Sequence, residues 1–281
     1  MSKTKILVVD DEPNNQRILT YTLNKAGYES TAIGDGDNTL NWLQANTPDL
    51  AILDVSMPGM DGITLLQHIR AMPKFSSLPV VILTGSGDTF IHKEDLGGGK
   101  VDARAWGEHV LPDAKRLLMN LLEIQAPMIA AVNGPATVHA ELALLCDIVL
   151  AAEHSVFQDA PHYPSGLVPG DGVHVVWQML LGLNRARYFL LTGQQLAAQE
   201  ALALGVVNEV MPQAQLLDRA WALARLLRAR PALTTRLTRE AMLMQVKRAM
   251  LEQLPYGLAL EGLAACDYWP AHFAAQDISR R

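Results

Sequence analysis

Cysteine is nearly absent: the chain has two in 281 residues, Cys146 and Cys266. That is too few for a disulfide framework, and each lies in an apolar, helix-like setting that suits a small core residue in a reducing compartment. An excess of positive charge is lacking as well. The net charge is −6 and the lysines and arginines are dispersed rather than striped, which leaves no electrostatic footprint for nucleic acid. No apolar run approaches the roughly 20 residues that span a bilayer. The opening "MSKTKILVVDDE" turns acidic before a signal-peptide apolar region develops. No membrane partner is therefore expected, and the cytoplasm is the expected location. Repeats and low-complexity tracts are missing too. What is present is a chain 49% apolar and 19% charged, enough to bury a sizeable core in one large or two modest domains.

The first third alternates strand and helix. Ile6 to Val9, Leu50 to Leu53 and Val80 to Leu83 are short apolar runs of buried-strand type. Pro13 suits the first turn of a helix that carries Ile18, Leu19, Thr22, Leu23 and Ala26 on one face and stops at Gly27. A second amphipathic segment, "GITLLQHIRAM", lies between the later strands. Such alternation predicts a parallel sheet covered on both faces. From Leu96 the texture changes. The polar connector "GGGKVDARAWGEH" precedes a helix from about Ala114 to Ile124 and a strand-like "PMIAAVNG". Leu216, Leu217, Ala220, Trp221, Ala224 and Leu227 mark a further helix bounded by Pro231. Helix continues to about Ala265, with Arg236, Arg239, Lys247 and Arg248 on its solvated side, and Trp177 and Tyr188 read as core.

Asp10, Asp11 and Asp54 each follow an apolar strand run, so a parallel sheet would bring all three to its C-terminal edge. Crowded carboxylates there repel one another unless a hard cation such as Mg²⁺ neutralises them, although paired acids after a strand also suit a helix cap. An aspartate beside Mg²⁺ can attack a phosphoryl donor, and Thr84, at another strand end, is placed to bond the phosphoryl oxygens. Over residues 4 to about 86, the motifs "ILVVDDE", "DLAILDVSMPGMDGITLLQHIR" and "LPVVILT" resemble a response-regulator receiver domain. The resemblance implies Asp10, Asp11 and Asp54 at the metal, Asp54 as phosphoacceptor, Thr84 as switch hydroxyl and a histidine kinase as partner. A receiver also needs a fifth strand ending in lysine. Here Lys93 and Lys100 are the candidates by composition, and neither ends an apolar strand.

The segment "NGPATVHAELALLCDIVLAAEHSVFQDAPHYPSGLVPGDGVHVVW", with "VVILTGSGDTF" before it and "LLTGQQLAAQEALALGVVNEV" after, resembles the crotonase (enoyl-CoA hydratase/isomerase) superfamily from about Val80 to Asp267. Within it the chain is most similar to the carbon–carbon bond hydrolases that cleave β-diketones, of the 6-oxocamphor hydrolase kind. Hydratases carry a Gly-rich element before their first catalytic Glu and a second Glu after a proline. Here those places read "TVHAE" and His162, and the small pair expected near Phe90 reads His92 and Lys93. An imidazole can take a proton from water, and a carboxylate can orient it. His162 and Asp171 are the expected base and orienter, nine residues apart across a Pro/Gly bend; Asp171 also sits where it would cap a helix starting at Val173. By resemblance, His139 faces the substrate carbonyl or enolate and Glu261 is its acidic neighbour. Glu141, two residues from His139 on a helix, is not expected to share its face. The β-diketone hydrolases also have an N-terminal β-rich segment that walls the pocket and supplies another histidine, whereas this chain has no histidine before His68.

These readings meet in "LPVVILTG", which fits both families because both need a buried parallel strand ending in a small polar turn. The expected fold class is α/β: a parallel sheet with flanking helices, receiver (flavodoxin-like) in its first half and continuing into a crotonase-like segment and C-terminal helices. The expected boundaries are 1–88 and 79–267, with a shared strand at about 79–85 and a tail at 268–281. The expectation is one continuous sheet, with "PMIAAV" reached by a right-handed crossover. The expected function is cofactor-independent hydrolysis of a small β-diketone, with family resemblance implying a homo-oligomer, usually a trimer. The competing readings are a Mg²⁺-dependent signalling module with an inactive crotonase-like half, and an inactive chimera.

Overall fold

A computed structural model describes residues 3, 5–25, 27–54, 57–75, 81–85, 87–92 and 102–272. Two compact units result, Met1–Leu78 and Pro79–Arg281. In the first, β1 (Lys5–Val9), α1 (Pro13–Lys25), β2 (Glu29–Ile33), α2 (Gly36–Ala45), β3 (Leu50–Leu53) and α3 (Gly62–Ala71) alternate. The strands pair in parallel in the order β2-β1-β3. Residues Ile6 to Val9 of the central strand are buried on both faces, which explains their unbroken apolar run. Asp35 and Asp61 cap α2 and α3, accepting from the backbone N–H of Asn38 and Thr64 at 2.8 Å. Leu7, Val9, Leu43, Leu65, Ile69 and Phe75 form the core between sheet and helices. Ile18, expected on the inner face of α1, is exposed.

The second unit contains β4 (Val81–Thr84), a short α4 (Ala103–Ala105) running into a wide turn at Trp106–Val110, α5 (Leu111–Glu123) and β5 (Met128–Val132). There follow α6 (Glu141–Leu144), β6 (Ile148–Ala152), β7 (Val156–Phe157), a tight turn at Tyr163–Ser165 and α7 (Val173–Thr192). The chain continues through β8 (Leu196–Ala197), α8 (Ala198–Ala203), β9 (Glu209–Met211), α9 (Gln213–Arg228) and α10 (Ala232–His272). Four strands pair in parallel in the order β4-β5-β6-β9. The α/β class with parallel sheets and flanking helices holds, but the single continuous sheet does not. Among the described residues the strands fall into separate ladders. β4 joins the second, with Val81 to Thr84 in register with Met128 to Ala131.

Alanines at 131 and 152 let α9 lie close on this sheet, where Leu216, Ala220 and Ala224 pack against Ile129 and Leu150. Along α10 the buried positions Arg239, Leu243, Met250, Leu254, Leu258, Glu261 and Ala265 follow helical spacing. Arg239 was expected in solvent and is instead 3% exposed. Its Nε donates to Asp147 Oδ2 at 2.7 Å and its Nη1 to the Ile124 carbonyl. Asp147 Oδ2 also accepts from Met128 N at 2.7 Å, so the pair pins α10 to the start of β5. Trp177 is core, its ring tilted at 39° against Phe189 with centroids 4.2 Å apart, whereas Tyr188 is exposed, contrary to the sequence reading. Cys146 and Cys266 are unpaired, the first buried and the second half-buried. No helix among the described residues is long and apolar enough to cross a membrane.

Candidate active site

His162 stands at the tight turn before α7, where its carbonyl accepts from Ser165 N at 2.8 Å and Leu167 N at 2.9 Å. Those bonds close the "HYPSGL" bend and aim the imidazole inward, with the residue 3% exposed. The bend itself lies against α10. A Cβ on Gly170 would come within 2.1 Å of the Gly257 carbonyl oxygen, so only glycine permits the approach. One helical turn beyond Gly257, Glu261 reaches the ring: its Oε1 is 3.5 Å from His162 Nε2. Asp171 Oδ2 is also 3.5 Å from that nitrogen. The other oxygen of Asp171 is 3.5 Å from Val173 N, at the limit of a hydrogen bond, so the same side chain only weakly caps α7.

His139 has φ 48°, a left-handed conformation strained for a residue with a Cβ, just ahead of α6. It therefore does not lie on the helix with Glu141. Its Nδ1 meets Glu141 Oε1 at 2.9 Å and Asp171 Oδ2 at 3.2 Å. Contrary to the helical reading, this backbone reversal turns His139 and Glu141 toward one another. All four expected residues, His139, His162, Asp171 and Glu261, are thus brought together, although Glu261, expected as the acidic neighbour of His139, meets His162 instead. Asp159 was missed. Its Oδ1 lies 2.5 Å from His162 Nδ1, much closer than either acid facing Nε2. The signal was the spacing "DAPH", an acid three residues before the histidine on a Pro-bent turn.

Four buried carboxylates (Glu141, Asp159, Asp171, Glu261) surround two imidazoles. Full ionisation would leave excess negative charge out of water, so the cluster retains protons. Burial pushes Glu261 up to about 7, against the pull of its bond to His162. Glu141 is raised for the same reason, with repulsion from Asp171 adding to it. Burial alone would lower His162, but Asp171 and Asp159 outweigh it and hold the ring well above the usual imidazole range. Asp171 is resisted by burial yet is held below the ordinary carboxylate range by His162 and His139. His139 is the member open to solvent, with 23% of its side chain exposed against 3% for His162. Two triads, His139–Glu141–Asp171 and His162–Asp171–Glu261, each place ligand-type atoms within 4.8 Å of one another.

In the first unit, Asp10, Asp11 and Asp54 also gather within 4.8 Å. Asp10 is buried, Asp54 half-buried and Asp11 exposed. Burial raises Asp10, although its Oδ1 accepts from Glu12 N at 2.9 Å. Thr84, expected as a switch hydroxyl, donates instead to the Ala131 carbonyl at 2.7 Å within the second unit's sheet. That sheet supplies the nearest acceptor because β4 is laddered to β5. Lys93 and Lys100 lie outside the described residues.

Comparison with known proteins finds two family profiles on this chain. The enoyl-CoA hydratase/isomerase family profile matches residues 63–260, more than half of the chain. That of the response regulator receiver domain matches residues 6–103, so the two overlap over residues 63–103. A β-diketone hydrolase from the cyanobacterium Anabaena, solved with (S)-3-oxocyclohexyl acetic acid bound, is similar at 46% identity and TM-score 0.69, covering 73% of this chain and 81% of that one. A short-chain-enoyl-CoA hydratase from Clostridium acetobutylicum is 31% identical over 195 residues, 67% of this chain and 71% of its own length. A probable transcriptional regulator, ycf27 of Cyanophora paradoxa, is 43% identical over 88 residues, 31% of this chain and 36% of its own. The chain spans about a third of the length of the response-regulator relatives it matches.

Proposed function

We propose, from the premise that this chain belongs to the enoyl-CoA hydratase/isomerase family, that its second unit hydrolyses a carbon–carbon bond of a small β-diketone. The observation that carries this reading is the pairing of His162 with Asp159 on one ring nitrogen and with Asp171 and Glu261 around the other. A hydratase places a glutamate where His162 stands. The ligand of the Anabaena hydrolase unites a ketone with a carboxylic acid, as the product of opening a cyclic 1,3-diketone does.

In this reading Asp159 holds the Nδ1–H tautomer, and Nε2 takes a proton from water. The hydroxide adds to one carbonyl carbon, and the tetrahedral adduct collapses by breaking the bond to the central carbon. The electron pair leaves as the enolate of the second ketone, which is the electron sink, so the reaction as proposed calls on no cofactor. The imidazolium, stabilised by Asp171 and Glu261, returns the proton to the enolate carbon, and water's oxygen remains in the new carboxyl group. His139, held by Glu141 and Asp171 and the member most open to solvent, faces the substrate carbonyl in this reading. General-base help of this kind is worth roughly 10²- to 10⁴-fold. Because nearby acids hold His162 protonated, the base form is reached only above the ordinary imidazole range, and activity rises with pH through that raised value. The test is loss of the ultraviolet absorbance of a cyclic 1,3-diketone with wild type and His162→Ala. Equal rates would remove the role given to His162.

A second reading concerns the first unit, where the clustering of Asp10, Asp11 and Asp54 favours it. These three residues fit Mg²⁺, an oxygen-seeking cation that would relieve the repulsion among them and screen an incoming phosphoryl group. Asp54 is proposed as acceptor and a histidine kinase as donor. Incubation with a small phosphoryl donor and Mg²⁺ should add one phosphoryl group, and Asp54→Asn should abolish it. An unmodified wild type counts against signalling.

A further inference from the structure

Three of the buried acids have an oxygen to spare. Among the described residues, Glu261 Oε2, Asp159 Oδ2 and Glu141 Oε2 lie out of water without a hydrogen-bond partner, which is costly unless a charge or a donor meets them. The spacing around His162 is also unusual. Asp171 Oδ2 and Glu261 Oε1 each stand 3.5 Å from Nε2, beyond the roughly 3.2 Å reach of an ordinary N–H···O bond. The separation matches instead the edge of a coordination shell, because two nitrogen or oxygen ligands of a tetrahedral metal lie about 3.4 Å from one another.

The other side of the ring completes the pattern. Nδ1 lies 2.5 Å from Asp159 Oδ1, and a carboxylate on the far nitrogen is what orients a metal-ligating imidazole and strengthens it as a ligand. Ligand-type atoms of His162, Asp171 and Glu261 lie within 4.8 Å of one another, a three-ligand set that leaves a fourth position open. A mixed nitrogen and oxygen set favours zinc and its neighbours over Mg²⁺ or Ca²⁺. The His139–Glu141–Asp171 group is the weaker candidate, since its atoms already meet at hydrogen-bond distances of 2.9 and 3.2 Å. His139, with 23% of its side chain exposed and in contact with Asp171, marks the way in from solvent.

We propose that His162 Nε2, Asp171 and Glu261 form a binding site for a divalent ion of the zinc type, with Asp159 holding the ligating ring. The ion's charge offsets the excess of buried carboxylate. Occupancy also blocks hydrolysis, a consequence that rests on the hydrolase reading: the ion takes the Nε2 lone pair that would otherwise accept the proton of water. Zinc is then an inhibitor of this site.

Equilibrium dialysis of the full chain against Zn²⁺ tests the site without any diketone, with millimolar Mg²⁺ present to fill the acid cluster of the first unit. The expected result is one zinc ion per chain, retained against Mg²⁺. Asp159→Asn should weaken zinc about 10- to 100-fold; His162→Ala and the near-isosteric Glu261→Gln should weaken it at least as much, with circular dichroism unchanged. No retained zinc, or equal affinity in the wild type and these variants, would overturn the proposal. In a parallel assay, diketone turnover should fall in step with zinc bound and return on adding a chelator. Turnover unchanged or raised by bound zinc would overturn the blocking role. A chain that binds zinc as expected but cleaves no diketone would sink the hydrolase reading and uphold the site.

Discussion

Both units gather carboxylates at a candidate site, and they differ in what can relieve the repulsion. The Asp10–Asp11–Asp54 group lies partly in solvent and holds no imidazole, so a hydrated hard cation is the natural counter-charge. The group around His162 is largely buried, reaching solvent at His139, and is interleaved with two imidazoles, so protons do that work, and Glu261, Glu141 and His162 are all raised. Similar acids thus acquire different chemistry from burial: as proposed, one site takes a phosphoryl group onto a carboxylate and the other moves protons.

The sharpest way to break this comparison is to exchange the effects of two substitutions. His162→Ala should lower diketone turnover by about 10²- to 10⁴-fold, whereas Asp54→Ala should leave turnover unchanged; product formation in single-turnover assays measures both. Next in size is a stability effect. Burial raises Glu261 from 4.5 to about 7, so the folded state binds its proton more tightly than the unfolded chain does. Stability from this group is therefore full below about 4.5 and declines as pH rises to about 7, by up to about 3 kcal/mol. Glu261→Gln should flatten that decline in the second unit's thermal transition. Asp159→Asn comes third. With the closest partner of His162 lost, turnover should fall by about one to two orders of magnitude, and the rising limb of the pH–rate profile should move toward the ordinary imidazole range. Restoration of both by Asp159→Glu, but not by Asp159→Ala, would separate positioning from mere folding. Smallest is the effect of metal on the first unit: Mg²⁺ at ten times its dissociation constant should add about 1.4 kcal/mol to that unit's stability, and Asp54→Asn should remove the gain.

Much of the fold was legible because local patterns agreed with it. Ile6 to Val9 and Leu50 to Leu53 read as buried parallel strands, and the structure pairs them. His139, His162, Asp171 and Glu261 were also legible as a group, through their resemblance to one superfamily. What remained hidden depended on distant partners or on backbone reversal. Arg239 is buried because Asp147, far away in sequence, lies beside it. Glu141 reaches His139 only because His139 takes a left-handed conformation. Asp159 looked like an ordinary turn residue until the bend placed it on His162. The allegiance of Val81 to Thr84 was ambiguous because a short apolar strand suits either sheet, and pairing with β5 decides it.

The most direct test of the central claim is the pH dependence of cyclic 1,3-diketone cleavage by wild type and His162→Ala, followed by loss of ultraviolet absorbance. The expected result is wild-type cleavage that climbs with pH along a limb displaced above the ordinary imidazole range, with no such limb in the variant. Superimposable profiles, or a wild type that leaves the diketone intact at every pH, would contradict it.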